Sequence, residues 1–261
     1  MSSHKYPLKD LQKEFDKREQ SIQKAGIKNL KYPIKIPGLE GNVKHSIASF
    51  SMSVDLKHFE RGVHMSRFIE ILNNNDLLIS YEKIISLTNE VKKKMNSKNA
   101  FIRITFPYFV KKKAPISRIE SYLSYNISYY GKLISNKYEC KIKIKIPLIT
   151  CCPCSKLISK YGAHNQRSIV SVILNIKKDI SINSLISQIE SQASYDIYSL
   201  IKRTDEKYIT EKSYENPKFV EDIVRDISIV INKNNAIKSY KVLSENIESI
   251  HNHTAYAYIE R

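Results

Sequence analysis

The sequence lacks the features of a secreted or membrane-spanning protein. No run of eighteen apolar residues occurs in its 261 residues, which argues against a transmembrane helix. The first ten residues, MSSHKYPLKD, contain no apolar segment of the kind found in signal peptides. We therefore expect a cytoplasmic protein. In that compartment thiols stay reduced, so the four cysteines indicate a metal or catalytic site more than a disulfide framework.

Acidic residues are scarce relative to basic ones, at 26 against 43, which gives a formal net charge of +17. Such a charge is common in proteins that bind nucleic acid or membranes. The sequence nevertheless has no arginine-rich tract and no basic amphipathic helix, and its excess of lysine is spread along the chain. This pattern indicates compositional bias, so we expect no nucleic-acid or membrane partner. A hydrophobic content of 42% excludes general disorder.

Metal-binding side chains are concentrated in CCPCSKLISKYGAHNQRS, which runs from Cys151 to Ser168. Cys152 and His164 offer a thiolate and an imidazole, the side chains that bind borderline divalent metals best. A proline and a glycine between them allow the chain to turn. Buried cysteines of a packed core explain the same residues equally well. A disulfide is less favoured, because adjacent cysteines are poorly placed to pair with each other.

Two further segments contain the same types of side chain. ESIHNH includes Glu248, His251 and His253, and KRTDEKYITEKSYENPKFVED runs from Lys202 to Asp222. Alone they are typical of a solvated tail and a charged loop. Together with the cysteine segment and RGVHMSRF (residues 61–68), they closely resemble, in fixed order, the type IB GTP cyclohydrolases, which open the folate pathway in many bacteria. The resemblance extends from about residue 30 to the end of the sequence.

The resemblance implies one divalent metal per active site, with Zn²⁺, Fe²⁺ and Mn²⁺ all compatible with a mixed sulfur, nitrogen and oxygen donor set. The implied metal ligands are Cys152, His164, Glu206 and His251. Beside them, the implied catalytic groups are Glu248, His253 and Cys154, together with Cys152 itself. The family usually has an apolar residue at position 151, so two adjacent thiols compete here. The spacing to His164 favours Cys152 over Cys151.

The implied substrate is GTP, which reacts with water to give 7,8-dihydroneopterin triphosphate and formate. Glu221 is implied as the guanine anchor, because one carboxylate can accept both N1–H and the 2-amino group. The triphosphate requires positively charged partners. The candidates for substrate contacts are Lys202, Arg203, Arg61, Arg67 and Arg167, with His64 as a further phosphate contact.

Hydrophobic periodicity predicts an α+β fold with antiparallel strands. Alternation with a period of two predicts strands at Val43–Val54 and in YECKIKIKIPLI, while helical spacing predicts a helix at Ser80–Met95. Further helices are predicted at Leu8–Ala25 and Ser181–Ile201. Asn216 and Pro217 are typical of an N-cap and first turn, which predicts another helix through Val230.

The order of strands and helices occurs twice along the sequence. It predicts an N-terminal segment (1–30) and two tandem modules (31–135 and 136–261), the second containing most of the metal site. The resemblance gives this arrangement a name, the bimodular tunnelling fold. It also implies a homotetramer with active sites at subunit interfaces.

Three other functions remain open from the sequence. An archaeal-type cyclohydrolase of the same fold would release a cyclic phosphate. A nitrile reductase of the queuosine pathway, also a tunnelling fold, would use a cysteine nucleophile and a nicotinamide cofactor without this metal set. A non-catalytic basic RNA-binding protein with a structural metal would show salt-dependent affinity for nucleic acid.

Overall fold

The computed structural model describes residues 9–38 and 42–261, which form eight β-strands and six α-helices. The strands are β1 Ile22–Pro37, β2 Val43–Leu56, β3 Asn99–Lys113, β4 Glu120–Ile134, β5 Lys137–Cys151, β6 Asn165–Ile176, β7 Ile237–Ile247 and β8 Thr254–Glu260. The helices are α1 Ser66–Asn73, α2 Tyr81–Met95, α3 Pro153–Ile158, α4 Ile182–Glu190, α5 Arg203–Glu215 and α6 Val220–Asn232. None of the helices in these ranges is long and apolar enough to cross a membrane.

All eight strands belong to one antiparallel sheet, in which their order follows the sequence from β1 to β8. Helices α1 and α2 lie between β2 and β3 in the sequence, and α4 to α6 lie between β6 and β7. The predicted α+β class with an antiparallel sheet is therefore confirmed. Both Val43–Val54 and Ser80–Met95 form the predicted elements, and Ser80 caps α2 by accepting the Lys83 N–H at 3.0 Å.

The described part of the chain separates into two compact units. One contains the described residues up to 104 together with 130–139, and the other contains residues 105–129 with 140–261. In the first unit, alternate residues of β2 are fully buried and pack a core with the apolar faces of α1 and α2. In the second unit, alternate residues of β5 and β6 are buried in the same way. This burial follows from the period of two, which points alternate side chains to opposite faces of a sheet. The division at residues 30 and 135 stays a prediction.

The N-terminal helix predicted at Leu8–Ala25 is wrong over the described residues; Leu8 itself lies outside them. The chain forms one 3₁₀ turn at Leu11–Lys13 and then enters β1 at Ile22. The pairing of β1 with β2 requires a glycine at position 26. A Cβ at this position would lie 2.0 Å from the Met52 carbonyl oxygen, so only glycine allows β1 to approach β2 so closely.

Two other helix boundaries differ from the prediction. The helix predicted at Ser181–Ile201 ends at Glu190, and Asn216 is the C-cap of α5 instead of the N-cap of the next helix. Helix α6 begins at Val220, where the Asp222 carboxylate accepts the Phe219 N–H at 3.0 Å. The charged segment before it, which resembles a loop in sequence, forms the three-turn helix α5.

We predict that Gly26→Ala lowers the free energy of unfolding by about 1–3 kcal/mol, because the new methyl group meets backbone atoms that cannot rotate away. Urea unfolding measures the change. Gly62→Ala is the control, since its Cβ would lie 3.5 Å from the flexible Gln12 side chain, and we expect a change within about 0.5 kcal/mol. Equal stabilities of the two variants would contradict the role given to Gly26.

Candidate active site

The end of the β5–β6 hairpin brings Cys152 and His164 together along the backbone. Cys151 pairs with Asn165 in the last rung of the ladder, and just beyond it the Cys152 N–H donates to the His164 carbonyl at 3.2 Å. Between these two residues the chain forms the short helix α3. Two predicted metal ligands that are distant in sequence are therefore held side by side by strand pairing.

Burial distinguishes the two adjacent thiols. Cys151 is 1% exposed, and burial raises the pKa of its thiol, with Lys156 acting in the opposite direction. A raised pKa disfavours the thiolate that metal ligation requires. Cys152 is half-buried, and its Sγ accepts the Ser155 N–H at 3.4 Å. These environments support Cys152 as the ligand.

The His164 imidazole has a buried Nδ1 atom with no hydrogen-bond partner among the described residues. Buried polar atoms without a partner are uncommon, because leaving one unsatisfied costs free energy. A neutral imidazole nitrogen is also a common ligand of divalent metals. The unpartnered nitrogen of a residue whose backbone is bonded to Cys152 is therefore chemically suited to bind a divalent ion.

The connection between β7 and β8 contains His251 and His253. Arg167 of β6 pairs with Ile247, and Ile247 pairs with Thr254 of β8. This register places the connection at the same end of the sheet as the β5–β6 hairpin end. There the rings of His251 and His253 stack with centroids 4.8 Å apart.

Glu248 lies beside this histidine pair. Its Oε2 is 3.6 Å from His251 Nε2, and its side chain is mostly buried, whereas the two histidines are exposed. The stacking of His251 and His253 and the Glu248 contact hold three predicted site residues close together.

Glu206 lies in the first turn of α5, where it is exposed. Farther along this helix, Ser213 donates from Oγ to Asn165 Oδ1 at 3.2 Å, which ties α5 to the residue after His164. Because a helix rises about 1.5 Å per residue, Glu206 starts roughly 10 Å along the axis from that contact. The ligand role of Glu206 stays a prediction.

Across residues 9–38 and 42–261, no three histidine, cysteine, aspartate or glutamate side chains are grouped closely enough to hold a metal ion. The predicted ligands instead occupy three places: the β5–β6 hairpin end, the β7–β8 connection and the first turn of α5. Their donor types fit a divalent ion. The four-residue ligand set stays a prediction.

Asp205 is a site neighbour that the sequence analysis missed. This residue is fully buried and accepts hydrogen bonds from Ile116, Ser117 and Lys202. Burial alone would raise the pKa of Asp205, but these hydrogen bonds outweigh it and hold the pKa well below its ordinary value. The available signal was an aspartate three residues after Lys202, a spacing typical of helix starts.

The proposed substrate contacts divide between the two compact units. In the second unit, Arg167, Lys202, Arg203 and Glu221 are all exposed, as is the catalytic candidate Cys154. In the first unit, the three residues from RGVHMSRF already have protein partners: Arg61 pairs with Glu14, His64 Nε2 lies 3.1 Å from Asp10, and Arg67 donates to the Lys94 carbonyl at 3.3 Å. Their assignment to the substrate stays a prediction.

The fold has counterparts among solved structures. It is similar to uricase from Arthrobacter globiformis, with a TM-score of 0.54 at 9% identity over 92% of each chain, and to urate oxidase from Bacillus subtilis 168, with a TM-score of 0.51 at 7% identity. The second match covers 92% of this chain and 98% of the other. At such identities the likeness concerns the fold alone, and it fits the predicted tunnelling fold.

The family follows from the sequence comparisons. The model of the type I GTP cyclohydrolase FolE2 family matches residues 8–257. GTP cyclohydrolase FolE2 of Methylobacillus flagellatus is 47% identical over 98% of this chain and 96% of its own length. The protein of the same name from Nitrosococcus oceani is 44% identical over the same shares of the two chains. The chain belongs to the FolE2 family of type I GTP cyclohydrolases.

Proposed function

We propose that the chain is a cytoplasmic GTP cyclohydrolase I, which converts GTP and water to 7,8-dihydroneopterin triphosphate and formate. This reaction is the first step of tetrahydrofolate biosynthesis. The observation that carries the proposal is the family match, which spans residues 8–257 and includes every candidate site residue. The unpartnered His164 nitrogen beside Cys152 supports it from the structure.

The reaction requires several proton transfers. One water adds to C8 of the purine and the imidazole ring opens to a formamide, after which a second water releases formate. The ribose then opens, rearranges and closes onto the freed amine with loss of one water, so the net reaction consumes one. Each of these steps protonates or deprotonates nitrogen or oxygen, which calls for side chains whose pKa values lie near the working pH.

The candidate site residues are chemically suited to these proton transfers and to binding a metal ion. Cys152, His164, Glu206 and His251 would hold a divalent ion, which acts as a Lewis acid and makes water a better nucleophile at neutral pH. His253, stacked on His251, and Glu248, 3.6 Å from the same imidazole, are the proposed groups that exchange protons with substrate. Cys154, two residues after Cys152, is exposed and is a further candidate for proton transfer.

The substrate contacts follow from charge and exposure. Glu221 is exposed in the first turn of α6, whereas the Asp222 carboxylate is already bonded to the Phe219 N–H. Of these two adjacent carboxylates, Glu221 is therefore the one available to guanine. Lys202, Arg203 and Arg167 are exposed cations of the same compact unit and are the proposed triphosphate contacts within it.

We also propose that the chain assembles with copies of itself into a homotetramer and uses no nucleic-acid partner. Leu157, Ile158 and Tyr161 are 87%, 82% and 92% exposed, although all three are large and hydrophobic. They lie in the connection between Cys152 and His164. Exposed apolar clusters are typical of interaction surfaces. Strand β8 ends the sheet order, and an unpaired sheet edge favours association with another chain.

We predict that Cys152→Ala and His164→Ala each lose most of the bound metal and abolish formate release. Metal content by mass spectrometry and formate from GTP are the two measurements. Cys151→Ala is the matched control: it removes the buried neighbouring thiol, so we expect about 1–2 kcal/mol lower stability with metal and activity retained. Full metal content and activity in Cys152→Ala would show that the ligand assignment is wrong.

We predict that Glu221→Gln lowers kcat/KM for GTP by about 10²-fold or more while metal content is unchanged. The amide keeps one acceptor oxygen but turns an N–H₂ group toward the second guanine donor, a change worth about 2–4 kcal/mol. Asp222→Asn is the control and should keep its kcat/KM but lose about 1 kcal/mol of stability through the weakened α6 cap. The opposite result, with Asp222→Asn inactive and Glu221→Gln active, would transfer the anchor role to Asp222.

We predict that Leu157→Asp combined with Tyr161→Asp shifts the protein from tetramer to smaller species, because two charges would enter an apolar interface. Light scattering at several protein concentrations measures the change. Lys160→Asp, which alters an exposed polar residue of the same segment, is the control and should leave the tetramer intact. A wild-type protein that is monomeric and fully active would contradict the proposed assembly.

A further inference from the structure

Asp205 joins two segments that are far apart in the sequence. Its Oδ1 accepts the backbone N–H groups of Ile116 and Ser117, both at 2.8 Å. Its Oδ2 accepts the Ser117 hydroxyl at 2.6 Å and the Lys202 N–H at 2.8 Å. Two carboxylate oxygens thus receive four hydrogen bonds at a position with 0% exposure. We call this group of four residues the Asp205 clamp.

The clamp fixes the start of α5. Residues 191–201, which precede it, form no regular helix or strand. Lys202 is the N-cap of α5, so its bond to Asp205 closes the first helical turn. The bonds to Ile116 and Ser117 hold the same turn against the connection between β3 and β4.

Glu206 is the next residue after the clamp. Adjacent residues on a helix project about 100° apart, since 3.6 residues make one turn. This explains how Asp205 is fully buried while Glu206 is exposed. A bonded, buried Asp205 sets both the rotation of the first turn and its position along the axis. It therefore sets the point from which the Glu206 side chain begins.

The other end of α5 is fixed independently. Ser213 donates to Asn165, the Lys156 ammonium donates to the Tyr214 carbonyl at 2.6 Å, and the Asn216 amide donates to the Ala193 carbonyl at 3.0 Å. The first two contacts tie the C-terminal turn to the segment of Cys152 and His164, and the third ties it to the residues after α4. Loss of the Asp205 clamp would therefore displace the first turn without releasing the whole helix.

We propose that Asp205 is a positioning residue for Glu206: its carboxylate holds the first turn of α5 in the place from which Glu206 reaches the metal. The inference rests on the proposed function, in which Glu206 is a metal ligand. Only an aspartate side chain of this length provides two acceptor oxygens here. In Asp205→Asn an amide N–H₂ group replaces one oxygen and faces backbone donors, so at least one buried N–H loses its acceptor.

The test compares Asp205→Asn, Ser117→Ala and Glu206→Gln. Dissociation constants for Zn²⁺ are measured by competition with a chelator, and the visible absorption of the Co²⁺-loaded proteins reports the ligand set. We expect Asp205→Asn to weaken Zn²⁺ binding about 10- to 100-fold, as for other residues that orient metal ligands. Its Co²⁺ spectrum should match that of Glu206→Gln. Ser117→Ala, which removes one of the four bonds, should show a smaller loss in the same direction.

Tyr125→Phe is the matched control. It removes another buried hydrogen bond of the same compact unit, from Tyr125 to the Glu190 carboxylate at 2.5 Å, and leaves α5 untouched. We expect unchanged Zn²⁺ affinity and Co²⁺ spectrum, which would separate positioning from general loss of stability.

Two outcomes would overturn the inference, and they differ. If Glu206→Gln weakens Zn²⁺ binding but Asp205→Asn binds like wild type, the positioning role is wrong and the ligand assignment stands. If Glu206→Gln itself binds Zn²⁺ like wild type, the ligand assignment of the proposed function fails, and the positioning role fails with it.

Discussion

The pairing of β5 with β6 is the constraint on which the candidate site depends. Alternate residues of β5, from Ile142 to Leu148, are fully buried, and a shift of one residue would move all of them to the opposite face. Burial of this apolar set therefore fixes the register. The register in turn ends the ladder at Cys151 and Asn165, which leaves Cys152 and His164 as the first residues beyond it. The positions of a thiol and an imidazole are thus set by hydrophobic residues that take no part in the chemistry.

Much of the fold could be predicted from sequence wherever a local pattern decides the structure. The alternation in β2 and β5 and the capped, amphipathic α2 are such cases. Strand β1 could not be predicted from a local pattern. Its Gly26 is required by the close approach of the Met52 carbonyl, which belongs to the neighbouring strand β2. Two prolines in β1 also obscured it, although proline is tolerated in a strand at the end of a sheet. Helix α5 is rich in charge, and its start depends on bonds from Ile116 and Ser117, which no local pattern contains.

The candidate site, like the fold, could be predicted from the sequence only in part. Residue types and order were sufficient to indicate the family, which the comparisons confirm. The sequence could not show how far apart its segments lie, because that distance depends on where α5 packs. Cys152 and His164 become neighbours through strand pairing, whereas Glu206 occupies the opposite end of α5 from the contact with Asn165. The distribution of the donors over three elements is therefore a property of the tertiary structure.

Three pairs of adjacent residues with similar side chains have members in different environments. Cys151 is buried and Cys152 is more accessible; Asp205 is bonded to backbone and Glu206 is exposed; Asp222 caps α6 and Glu221 is exposed. The cause is geometric, because neighbouring side chains diverge by about 100° on a helix and by about 180° on a strand. Two adjacent residues therefore cannot reach the same environment. One member of each pair is fixed by burial or hydrogen bonds, and that restraint leaves its neighbour, the proposed ligand or substrate contact, in a defined position.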